Sequence, residues 1–91
     1  MKKIKLNELT YELIEDYNGY DEETIISKAT DYFIPYDYIV GDWAYGKLRL
    51  KGFCDKENKI YKKQNDIAKK DSYIKDNCAY GCKYFVLKKL K

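Results

Sequence analysis

Residues 36–53 constrain the fold of this chain most strongly. They consist of an apolar run, a glycine-flanked bend and a run in which apolar and basic residues alternate. This pattern predicts a β-hairpin with the arms Tyr36–Trp43 and Lys47–Phe53. Because successive side chains of a strand point to opposite faces, Leu48 and Leu50 are predicted to enter the core. The hairpin therefore predicts a sheet with one apolar side and one cationic side, the latter formed by Lys47, Arg49 and Lys51.

Three further segments have the pattern of strands. Two lie before residue 20, and the third contains a run, Tyr84–Leu87, that is apolar at every position. A run without alternation is typical of a strand buried on both faces in the middle of a sheet. The predicted additional strands are residues 4–6, Thr10–Glu15 and a strand within Cys82–Leu90.

Two helices are predicted between these strands. Apolar residues at helical spacing follow an acidic start over residues 21–33, and Pro35 ends that helix. A second helix begins after Asn65-Asp66, which can cap it. The order β-β-α-β-β-α-β predicts an α+β fold in a single domain, residues 1–91. We expect a mostly antiparallel sheet of about five strands with both helices on one face.

Charge is unevenly distributed along the chain. Residues 1–46 contain four lysines and ten acidic residues, net −6, whereas residues 47–91 contain fourteen basic and five acidic residues, net +9. Seventeen of the 18 basic residues are lysine, a usage typical of an AT-rich genome, so lysine content alone says little about function. Arg49 is the single arginine, and its planar guanidinium can form bidentate bonds that lysine cannot form. Its partner could be an external anion or an acid on a neighbouring strand, such as Asp42 or Glu12.

Several classes of activity are excluded or disfavoured. The chain has no histidine and no glycine-rich phosphate loop, which removes Ser-His, Cys-His and His-ligated metal chemistry. Asp37 and Asp42 are five residues apart on a strand and should not converge, so Asp42 is expected to cap the bend. We predict no catalytic residue, no cofactor and no small-molecule substrate.

The thiols are expected to be free and without a metal. Cys54, Cys78 and Cys82 are odd in number and lack the fourth ligand that structural zinc requires. The N-terminal residues have no apolar core of a signal peptide, and no apolar run is long enough to cross a membrane. The expected location is the cytoplasm, without membrane contact.

Two binding functions fit this pattern. In the first, the chain binds RNA or a ribonucleoprotein through phosphate contacts on the cationic side and stacking on the aromatic rings of the bend. In the second, it is a protein–protein adaptor anchored by the aromatic residues, with the charges as a polar rim. High salt should weaken the first mode steeply and the second little. The candidate binding residues are Trp43, Tyr45, Lys47, Arg49 and Lys51.

Three blocks of the sequence resemble the YutD-like family of small Firmicute and Mollicute proteins. They are TYELIEDYNGY from residue 10, YDYIVGDWAYGKLRLKGF from residue 36 and NCAYGCKYFVL from residue 77. In the family's GDWGYG-type bend, Ala44 stands here in place of a glycine. The resemblance implies a small α+β domain, in agreement with the pattern-based prediction, and implies no established biochemical activity.

Overall fold

A computed structural model describes residues 2–77 and 83–90 of the chain. Its strands are β1 (Lys3–Leu6), β2 (Leu9–Tyr17), β3 (Tyr38–Ala44), β4 (Lys47–Phe53) and β5 (Tyr84–Lys89), and its helices are α1 (Glu22–Lys28) and α2 (Lys70–Asn77). The five strands form one sheet in the order β1-β2-β5-β3-β4, with every neighbouring pair antiparallel. The predicted α+β fold and order of elements are confirmed.

Helix α1 is shorter than the helix predicted over residues 21–33. The carboxylate of Asp21 accepts a hydrogen bond from Thr24 N–H at 3.3 Å and caps the start, but the helix ends at Lys28. The Thr30 hydroxyl accepts from Tyr32 N–H at 3.4 Å and begins a separate 3₁₀ turn over Asp31–Phe33. The Thr30 hydroxyl thus takes the place of a helical backbone acceptor. For this reason the predicted helix is divided into α1 and a 3₁₀ turn.

The β3–β4 hairpin closes through a two-residue turn. Ala44 pairs with Lys47, and the two residues between them, Tyr45 and Gly46, have φ of 54° and 74°. Positive φ at both central positions is the geometry that matches the right-handed twist of the arms. The bend therefore requires the left-handed conformation one residue after Ala44, which explains why alanine is accepted in place of the family's glycine.

The sheet has apolar cores on both faces, so the predictions of a cationic side and of two helices on one face are wrong. On one face, Ile25 of α1 packs with Ile39, Leu48 and Leu87. On the other face, Ile67, Tyr73 and Ile74 from the α2 region pack against a second core formed by Tyr38, Val40, Phe53 and Val86. Two layers of cover explain why Phe85, Val86 and Leu87 of β5 are all fully buried. They also place the basic residues of β4 beside the second core.

Gly41 lies at the centre of the first core. It is directly opposite Phe85 on the neighbouring strand, and the phenyl ring covers its Cα. A Cβ at this position would lie 2.1 Å from the ring's Cζ, far inside van der Waals contact. The glycine is therefore required by packing and not, as the sequence suggested, by a bend.

Candidate binding surface around strand β4

Arg49 is paired inside the fold with Asp42, which lies directly opposite it on β3. The guanidinium donates to Oδ2 of Asp42 at 3.2 and 2.5 Å, and Oδ1 accepts from the Tyr73 hydroxyl at 3.3 Å. The Asp42 side chain is fully buried, whereas 43% of the Arg49 side chain is exposed. Hydrogen bonding to Asp42 raises the pKa of Arg49. Asp42 therefore forms hydrogen bonds with Arg49 and Tyr73 instead of capping the bend as predicted. The guanidinium of Arg49 balances the buried charge of Asp42.

Lys51 packs against aromatic rings of the second core. Its ammonium lies 5.5 Å from the ring centre of Phe53 and 5.7 Å from that of Tyr73. These two rings meet edge to face, with centroids 5.7 Å apart. A cation at this distance from a ring face is attracted by the ring's quadrupole. Arg49 and Lys51 therefore both interact with side chains of the fold. Lys47 is exposed near the hairpin tip and has no ion pair or ring contact among the described residues.

The two predicted aromatic residues have different surroundings. Trp43 pairs with Leu48 on the α1 side, opposite to the face of Arg49, and its Nε1–H donates to the Gly19 carbonyl oxygen at 2.7 Å. It is half-buried and links the hairpin to the turn after β2. Tyr45 is fully exposed at the tip of the hairpin. The predicted residues therefore do not form one surface: Trp43 is separated from the cations by the sheet.

A groove of about 730 Å³ runs beside β4 and was not predicted. Its walls come from both faces of the sheet, so it must pass around the outer edge of β4. Ile60, Lys62 and Gln64 belong to the segment between β4 and α2, and no strand or helix was predicted at these three positions. Six residues that define the groove are Tyr32, Tyr36, Arg49, Lys51, Lys62 and Tyr73.

Asp37 and Asp42 do not converge, as their spacing predicts. Oδ2 of Asp37 accepts from Asp55 N–H at 2.9 Å and from the Asn58 side-chain amide at 3.1 Å. It therefore orders the turn that follows β4, while Asp42 lies within the second core. Within residues 2–77 and 83–90, no group of three or more acidic or cysteine side chains is placed to hold a metal ion.

Cys54 is a free and fully buried thiol at the end of β4. Burial raises its pKa, which reduces the thiolate fraction available for reaction. Cys78 and Cys82 lie outside the described residues. No helix in the described part of the chain is long and apolar enough to cross a membrane.

We expect Cys54 to react with iodoacetamide roughly a thousandfold more slowly in the native protein than in denaturant, because the strand end must open first. Pulse alkylation followed by peptide mapping measures each cysteine separately. The Cys54→Ala variant, whose other two thiols should keep their native rates, is the control. Rapid native labelling of Cys54 would show that this end of β4 is not closed.

Comparisons with known proteins agree with the architecture. The family model described as "Putative antitoxin YutD-like" matches residues 5–88. A Bacillus subtilis (strain 168) protein described as "Putative antitoxin YutD" is 42% identical over 89 residues, which cover 97% of this chain and 98% of that protein. The solution NMR structure of protein yutD from B. subtilis matches with a TM-score of 0.83 at 40% identity, covering 100% of this chain and 84% of that one. By sequence and by fold, this chain belongs to the YutD-like family.

Proposed function

We propose that this chain is a non-catalytic module that binds a protein partner, with Tyr45 as an exposed anchor at the tip of the β3–β4 hairpin. The observation that carries the proposal is the combination of full exposure and φ of 54° at this tyrosine. Asparagine or glycine is preferred at this position of such a turn, so tyrosine is unfavourable for stability. Strained, exposed residues of this kind concentrate at functional sites.

The family description supports a binding role, since an antitoxin must recognise another macromolecule. The exposed ring favours a protein, because tyrosine supplies large, rigid contact area at interfaces. RNA or a ribonucleoprotein is the second candidate and draws on Lys47 and the half-exposed Arg49. The pairing of Arg49 with Asp42 and the contact of Lys51 with two rings weaken that candidate. A cytoplasmic location remains part of the proposal.

Tyr45→Asn tests the proposal by separating binding from folding. The free energy of unfolding should rise by about 0.5 kcal/mol because asparagine relieves the left-handed strain. Recovery of the partner from lysate, measured with equal amounts of folded tagged protein, should fall about tenfold. Nuclease treatment should leave recovery by the wild-type protein unchanged.

Glu8→Asn is the matched control, because Glu8 has φ of 67° in the two-residue turn between β1 and β2. The free energy of unfolding of the Glu8→Asn variant should rise by a similar amount, and its recovery of the partner from lysate should not fall. Unchanged recovery with Tyr45→Asn would refute the anchor, and loss of the wild-type partner on nuclease treatment would assign the surface to RNA.

A further inference from the structure

We propose that the outer edge of β4 binds an extended, acidic segment of a partner protein, which adds to the sheet as a sixth strand. This inference rests on the proposed function and specifies the chemistry of the partner at the groove. It follows from the backbone geometry of β4, the shape of the groove and the charges along it.

Among the described residues, the backbone of β4 has unpaired hydrogen-bonding groups on its outer side. Beyond the end of β4, Cys54 N–H donates to the Asn65 carbonyl oxygen at 2.7 Å, and Ile67 N–H donates to the Cys54 carbonyl oxygen at 3.1 Å. Residues two apart in a strand direct their backbone groups to the same side. The groups of Gly52, Leu50 and Leu48 therefore point to this same edge. No hydrogen bond to them is found within residues 2–77 and 83–90.

In the described part of the chain, one end of this edge is therefore covered and the rest is open. The parallel bridge between Cys54 and Asp66 shows that the edge accepts another backbone segment. From Gly52 to Arg49 the groove takes the place of that segment. Its width spans the edge from Tyr36, which packs over Gly52 on the α1 side, to Tyr73 on the α2 side. This is the arrangement that strand addition requires.

The charges along the edge favour an acidic occupant. Lys51 and Lys62 line the groove, and Lys47 extends the row on β4. Among the described residues, no acidic side chain lines this groove. An added strand would place alternate residues beside these cations and the intervening ones beside Leu50 and Tyr36. The expected partner sequence therefore alternates acidic and apolar residues.

The same charges disfavour a second copy of this chain as the occupant. If two β4 edges paired, the row of Lys47, Arg49 and Lys51 would face the same row of the copy. Like charges directly opposite each other in neighbouring strands are destabilising. Lysine-rich edges protect against such pairing, and β1, the opposite edge of the sheet, is short and carries Lys3 and Lys5.

The test is titration of the ¹⁵N-labelled protein with a capped seven-residue peptide of sequence EVEVEVE. We expect the amide signals of Leu48, Leu50 and Gly52 to change chemical shift and the hydrogen exchange of these amides to become slower. The peptide EVEPEVE, whose proline removes a central N–H, should bind more weakly, and KVKVKVK should not bind. The double variant Lys47→Glu/Lys62→Glu should bind EVEVEVE about tenfold more weakly and bind KVKVKVK instead.

The matched control is Lys3→Glu/Lys5→Glu, which reverses two exposed charges on the other edge strand and should leave EVEVEVE binding unchanged. Binding without slowed exchange of the three amides would overturn strand addition. Tighter binding of oligouridylate at the same residues would overturn the acidic-peptide assignment. Concentration-dependent self-association that protects these amides would overturn the acidic-peptide assignment and show that a second copy of this chain occupies the edge.

These outcomes separate the inference from the proposed function. If the peptide fails to bind while Tyr45→Asn still lowers partner recovery, the strand-addition inference is overturned and the anchor at the hairpin tip stands. If the peptide protects the β4 amides while Tyr45→Asn leaves recovery unchanged, the inference is supported and the tyrosine anchor is refuted.

Discussion

Gly41→Ala is expected to lower the free energy of unfolding by about 3 kcal/mol or more and the melting temperature by about 15 °C. The added methyl group would lie 2.1 Å from Cζ of Phe85, a ring that is fully buried between the central strands. Neither strand can move away without breaking the ladder that joins β3 to β5 and β4. Thermal unfolding followed by circular dichroism measures the loss.

Phe85→Leu in the Gly41→Ala background tests this explanation. Leucine removes the ring atoms that the methyl group meets, so the double variant should lose less stability than the sum of the two single variants. Gly46→Ala is the matched glycine control: no atom lies within 4 Å of the position that its new methyl group would take, and only its φ of 74° opposes the change, at about 1 kcal/mol. Additive losses at Gly41 and Phe85 would show that the clash is not the cause.

Arg49→Ala is expected to lower the free energy of unfolding by about 2–3 kcal/mol. The substitution leaves the fully buried carboxylate of Asp42 without its cation. The expected loss is at the low end for buried pairs because the Arg49 side chain is 43% exposed, which allows water to reach the vacated site. Arg49→Lys should lose about 1 kcal/mol, since the charge remains but the two bonds from one guanidinium to Oδ2 do not.

The Asp42→Asn/Arg49→Ala variant distinguishes the buried charge from lost packing. Removing both charges should be less harmful than removing the arginine alone, because no unpaired carboxylate remains. Lys47→Ala, which removes an exposed cation from the same strand, should change stability by less than about 0.5 kcal/mol and is the control. Equal losses for Arg49→Ala and Lys47→Ala would show that the pair contributes nothing to stability.

Arg49 illustrates how far the sequence could define the candidate surface. Its status as the single arginine correctly marked it as unusual, and Asp42 was one of the acids on a neighbouring strand that were named as examples of a possible partner. The choice between an internal acid and an external anion depends on which residue of β3 lies opposite Arg49 and on the burial of that residue. Both follow from the register of the hairpin and from the cover provided by α2, which local sequence does not specify.

The surroundings of the two faces of the sheet could also be predicted only in part from the sequence. The alternation around Leu48 and Leu50 was correctly assigned to a core, in which Leu48 is 3% exposed and Leu50 half-buried. The opposite face was predicted to be cationic because its residues on β4 are basic. Yet the apolar run Tyr84–Leu87 of β5 already indicated a sheet covered on both sides. The second core is completed by Tyr73 and Ile74 of α2, which are distant in sequence from β4.

The sequence by itself determined the elements whose stabilising interactions are local. These are the amphipathic arms of the β3–β4 hairpin, the buried strand β5 and the overall order of strands and helices, because alternation, capping and turn geometry act over a few residues. Only the tertiary structure decided which face each helix covers and that Gly41 lies under Phe85. It also decided that the edge of β4, within residues 2–77 and 83–90, is open along a cationic groove. These features arise from contacts between segments far apart in the chain, whose geometry no local pattern encodes.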